Sequence, residues 1–170
     1  MEILKLSTDW AKAEVFSAKI VWLFSIIVLL SALGFWYWGK TTMAKAFVWP
    51  LVVSGLFLVA VAAGLFMANK PRISQFEQAS RNNPGTFLQQ ELQRTAKSQK
   101  ELATVFEVLP LLLIVGGLLI FFLSSPTWRA IGIVIGLVAV FLMAVDSNTD
   151  TRNTIYHKQL KDLVNEYGRN

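Results

Sequence analysis

The chain has no cysteine, one histidine and few charges. Without cysteine there is no disulfide framework, thiolate catalysis, iron–sulfur ligation or cysteine-based zinc site. The single histidine, His157, excludes a multi-histidine metal site. Charged residues make up 16% of the 170 positions, against about 25% in an ordinary globular domain. Apolar residues take their place: 54% of the chain is hydrophobic, and the mean hydropathy is +0.49. Such a chain reads as a polytopic membrane protein, and its length leaves no room for two independent domains.

A helix crossing a hydrocarbon core of ~30 Å needs about 20 apolar residues. Four stretches approach that length: residues 20–38, 46–68, 108–124 and 127–145. The last two meet at a tight turn, Ser124-Ser125-Pro126. Ser125 suits a helix cap there, and Pro126 suits the first helical position, where a missing N–H costs nothing. The first apolar run does not read as a cleaved signal peptide. Glu2, Asp9 and Glu14 precede it, and it ends in Phe35-Trp36-Tyr37-Trp38 rather than in small residues. Those rings, with Phe47, Trp49 and Trp128, fall at one predicted level and form an aromatic belt.

Charge sets the expected orientation. Of the 16 lysines and arginines, only Lys40, Lys45 and Arg129 lie in the two short connections. The rest, Arg169 included, flank the other ends of the spans, together with all 11 acidic residues. The positive-inside rule then puts both termini and the central loop in the cytoplasm. The acidic residues on that side offset most of its positive charge, so the basic balance does not argue for nucleic acid, and no basic face interleaved with aromatics appears.

Three segments lie outside the spans. Residues 1–19 read as an interfacial helix, capped by Ser7, Thr8 or Asp9, with Trp10, Val15 and Phe16 on its apolar side. In the loop 69–107, Asn82-Asn83-Pro84-Gly85 is a turn signal. Thr86 with Gln89 reads as a capping box. A helix then runs from about Thr86 to Leu123, open to a kink at Pro110 and to loosening at Gly116-Gly117. In the tail 146–170, Ile155, Tyr156, Leu160, Leu163, Val164 and Tyr167 recur near helical period. Together these two segments predict an antiparallel hairpin reaching beyond the membrane. The fold class is an all-α, integral-membrane four-helix bundle with a helical cytosolic extension.

No ionisable residue falls deep in any span, which argues against a proton relay, an ion-coupled transporter and an intramembrane aspartyl site. His157 reads as a surface residue, far from the membrane serines Ser25, Ser31 and Ser54, so serine chemistry lacks a base. Glu107 and Asp146 are expected at similar depth, free to take a cation or to pair with Lys100 or Arg152. No cofactor is implied. The remaining candidates are small-residue faces that let helices approach closely: Gly132, Gly136 and Ala139 in the fourth span, Ala60 and Gly64 in the second.

The layout resembles the small polytopic bacterial immunity proteins that protect cells from pore-forming toxins. These are often inner-membrane proteins of three or four spans with short ends and no catalytic motif. The resemblance covers the whole chain as a layout and rests on no particular residue. It implies a non-enzymatic protein whose transmembrane helices bind those of a membrane-inserting toxin. The alternative is a self-associating channel or transport subunit, a small homo-oligomer.

Overall fold

The computed structural model describes residues 2–167, with side chains through Glu166. The side chain of Tyr167 and all of Arg169 lie outside the described residues. The structure is 94% helical, and among the described residues there are six helices in order: α1 (Glu2–Trp38), α2 (Thr42–Ala46), α3 (Val48–Asn69), α4 (Arg72–Asn82), α5 (Pro84–Phe122) and α6 (Pro126–Tyr167). Four helical stretches are long and apolar enough to cross a membrane: α1, α2 through α4, α5 and α6.

Local chemistry fixes the breaks. Thr41 caps α2, its hydroxyl oxygen accepting from the Ala44 amide at 3.1 Å. Pro50 sits in the first turn of α3, where a proline ring is tolerated. Pro71 separates α3 from α4, because a proline has no N–H to continue the helix. Asn83 is extended, as a residue before proline prefers, and its Oδ1 accepts from the Thr86 amide at 3.1 Å. The cap of α5 is therefore Asn83, three residues before the expected Thr86. The asparagine supplies the same acceptor, and Pro84 occupies the first helical position. A second correction concerns α1. It is already helical at Glu2, so Ser7, Thr8 and Asp9 are interior residues, and the Ser7 hydroxyl lies 2.8 Å from the Ile3 carbonyl oxygen. The polar stretch after Asp146 does not interrupt α6.

The helices pair as two antiparallel hairpins, α1 with α3 and α5 with α6, and α6 joins them. At the level of the apolar spans, one core is made by Val21, Val28 and Ala32 of α1, Leu51, Leu58 and Ala62 of α3, and Val134 and Val138 of α6. Phe24 stacks on Phe141 across it at 3.7 Å between ring centroids. No α5 residue belongs to that core. The end carrying both termini (the terminal end below) is built differently. There α4 replaces α3, and Ile3, Trp10, Phe76, Phe87, Leu88, Tyr156 and Leu160 draw α1, α4, α5 and α6 together. The opposite, loop end carries Trp36, Tyr37, Trp38, Trp49 and Trp128, all exposed.

Candidate functional site: an open groove and a closed polar clamp

The small residues sort into two groups. A Cβ built on Gly132 would lie 2.5 Å from the Gly116 carbonyl oxygen, and one on Gly116 would lie 2.8 Å from that of Gly132. The α5 and α6 backbones touch at that point, and Ala139 is buried further along the same helix. Gly136 stands beside this contact, with Leu113 as its near neighbour. Ala60 and Gly64 face outward, and nothing lies within 4 Å of a Cβ at Gly64. On α3 the close approach is made instead by Gly55, against Leu29. A lone glycine gives no paired motif, so periodicity passed it over.

Because α5 meets the bundle at this level through α6, the other side of α6 is uncovered. A cavity of about 420 Å³ lies between α3 (Ser54, Phe57), α5 (Thr104 to Leu112) and α6 (Ile135 to Leu142). A second, of about 520 Å³, continues from Ser54 and Ile135 toward the loop end. Together they form one groove along α6. The outward face of α5 is equally bare: Leu111, Ile114, Leu118 and Phe121 are exposed, Phe121 by 85%. The serines in the apolar stretch of α1 are satisfied locally, Ser25 donating to the Trp22 carbonyl and Ser31 to that of Ile27.

The terminal end is closed by polar contacts that sequence periodicity did not reveal. Glu91 is 4% exposed. Its carboxylate receives both a 2.9 Å and a 2.7 Å bond from Arg94, a fork geometry that suits two parallel bonds. The Tyr156 oxygen is 2.8 Å from Glu91 Oε2 and 2.7 Å from Ser7 Oγ. Tyr156 has one hydroxyl hydrogen, and the carboxylate is the stronger acceptor. Burial and the adjacent Glu91 push the Tyr156 hydroxyl above its usual range, so it remains a donor. Arg94 also covers the Trp10 ring at 3.9 Å, and Trp10 stacks on Tyr156. Five residues from α1, α5 and α6, Ser7 included, thus close one network. The Trp10 indole N–H is buried without a partner, which lowers the return from this packing.

Two further contacts tie the helices. Arg152 binds Glu14 at 2.9 Å and donates to Ser17 at 2.8 Å. Of the carboxylates considered for Arg152, neither Asp146 nor Glu107 pairs with it, and Glu14 of α1 does. His157 is not a free surface residue either. Its Nδ1 lies 2.6 Å from the Thr95 hydroxyl, and neighbouring Asn153 donates to the Thr95 carbonyl at 3.1 Å. Thr95 also lies 2.9 Å from the Glu91 carbonyl. With its hydrogen placed there, His157 Nδ1–H is the donor. Burial and Lys161 hold the His157 pKa below its usual value, which favours this neutral ring.

Asp146 lies just beyond the fourth span, and burial, with Glu14 nearby, pushes its carboxyl up to about 6. The folded chain then keeps a proton that the unfolded chain releases near pH 4. The stability this proton contributes is complete below about pH 4 and is lost as pH rises through about 6. Asp146→Asn should therefore raise the melting temperature near neutral pH and flatten its slope between about pH 4 and 6. An unchanged slope in detergent-solubilised melts would refute the assignment.

Among the described residues, no group of three or more His, Asp or Glu side chains could hold a metal ion. The arrangement as a whole offers a bare lateral surface for a hydrophobic ligand, fixed from one end. No protein-family model, curated protein or solved structure matches this chain.

Proposed function

We propose that this protein is a multi-pass protein of the bacterial inner membrane, with both termini cytoplasmic, that acts without catalysis by binding a transmembrane helix of a membrane-directed toxin. It is an immunity protein in this reading. The observation that carries it is the groove between α3, α5 and α6, whose terminal-end half has apolar walls. A hydrophobic partner gains little from lipid by apolarity alone, so association in a bilayer depends on close packing and on polar contacts. A groove with two flanking helices and a floor supplies more packing than one helix face. The exposed side chains of the spans are mostly large and apolar, which favours this reading over a water-filled channel.

Coexpression with membrane-directed pore-forming toxins tests the function. Preserved membrane potential in toxin-expressing cells is the expected result, and failure to protect against any of them refutes it. Affinity purification from native membranes should recover a second polypeptide; recovery of a homo-oligomer alone would favour the channel.

The orientation is tested separately, on a chain with no native cysteine. Met43→Cys should react with an impermeant thiol reagent in intact cells, and Ser98→Cys should react only after lysis. Neither position is buried. The reverse pattern would invert the topology.

A further inference from the structure

The loop-end half of the groove differs chemically from the rest. Its cavity, about 520 Å³, lies between α2 and α3 on one side and the first turns of α6 on the other. Trp49, Pro50, Val53 and Ile131 give it apolar walls. Ser54 marks its deep end, and the other polar side chains stand at the mouth: Lys45 of α2 and Thr127 in the first turn of α6. From Thr127 to Ile135, α6 rises about 12 Å, so the cavity reaches well into one leaflet.

The charge at this mouth has no protein counterion. Every aspartate and glutamate lies in 2–14, 77–107 or 146–166, beyond the far ends of the spans. The other two cations of the loop end do not line this cavity. Arg129 Nε donates to the Leu123 carbonyl at 3.2 Å, and Lys40 lines a separate cleft beside Trp38. The start of α6 adds amide groups without helical acceptors, of the same sign as Lys45. A cation over an apolar slot in a membrane matches an amphipathic anion, with phosphate at the mouth and hydrocarbon inside.

We propose that this cavity binds an anionic diacyl phospholipid of the loop-end leaflet. Its phosphate meets Lys45 and Thr127, and one acyl chain lies along Val53 and Ile131 as far as Ser54. The proposal does not rest on the toxin reading, whose carrying observation is the terminal-end half of the groove, although a helix running the full length of the groove would compete with the lipid. The lipid would also cover the floor of α6 where α5 does not reach.

Native mass spectrometry of the full-length protein in detergent tests this, using phosphatidylglycerol and phosphatidylcholine with identical chains. Phosphatidylglycerol should be retained about fivefold better, the return of roughly one cation on an anionic lipid. Lys45→Gln should bring the ratio near one and Lys45→Arg should keep it. Lys45 is exposed, so neither change threatens the fold. Val53→Trp, also at an exposed position, should fill the slot and lower retention of both lipids. Equal retention by the native protein, or an unchanged preference in Lys45→Gln, overturns the proposal. So does competition by glycerol phosphate as effective as that by the lipid, since binding would then need no chain. A transmembrane polypeptide that cross-links at Val53 and excludes the lipid also overturns it.

Discussion

Gly132→Leu should be among the most damaging single substitutions in this chain, and Gly64→Leu among the mildest. At Gly132 even the first added carbon meets the Gly116 carbonyl oxygen at 2.5 Å, and the Ile120 and Leu119 side chains follow at 2.9 and 3.2 Å. The obstacle is backbone, which cannot rotate away as a side-chain tip can. The helices must separate, and the α5 spanning half then loses packing on α6, the helix that ties it to the bundle. Overpacking of this kind costs about 1–3 kcal/mol, and a backbone obstacle belongs at the top of that range. At Gly64 an added Cβ has open space, and leucine is the better helix former. Thermal unfolding in one detergent should separate the two variants clearly. Equal melting temperatures would mean that the Gly116–Gly132 contact does not hold the hairpin together.

That pair also marks how far the sequence could be read. Uncharged runs of 16 to 23 residues leave few alternatives to helices of membrane length, and Pro84 and Pro126 mark two of their starts, so the all-helical architecture was legible. Gly132-x-x-x-Gly136 and Ala60-x-x-x-Gly64 look equivalent as patterns. Which of them faces a neighbour depends on the rotation of each helix, and apolar residues on all sides of a membrane helix leave that rotation unmarked. The terminal-end network was hidden for another reason. Glu14, Glu91, Arg94 and Arg152 look like ordinary surface charges, because each lies in a segment rich in polar and charged residues. Their burial follows from the return of α4 over α1, a tertiary event set by the break at Pro71. The groove was hidden too, since it arises where α3 and α5 fail to meet. No local residue pattern records a contact that is missing.

Glu91→Ala tests whether the terminal end positions α5. At the level of the spans, α5 packs on α6, and its second attachment is the core and network around Trp10, Glu91, Arg94 and Tyr156. Removing the carboxylate leaves the Arg94 guanidinium beside Arg72, whose own pKa is held down by burial and by Arg94, and leaves the Tyr156 hydroxyl without its stronger acceptor. Breaking a buried pair by deleting one partner costs about 3–5 kcal/mol. Arg94 is partly exposed and can recover some water, so about 2–3 kcal/mol is expected. Glu91→Gln keeps an oxygen for Tyr156 and should cost roughly half as much. Replacing Glu91 and Arg94 together by methionine removes both charges and should recover much of the loss, because no uncompensated charge remains. Hydrogen exchange locates the effect. In Glu91→Ala the amides of residues 86–107 should exchange faster, while those of residues 130–145, packed on α1 and α3, should stay protected. Uniform loss of protection would mean that the network stabilises the whole chain as one unit. An unchanged protein would mean that α6 alone holds α5, and that the width of the groove is set by the Gly116–Gly132 contact.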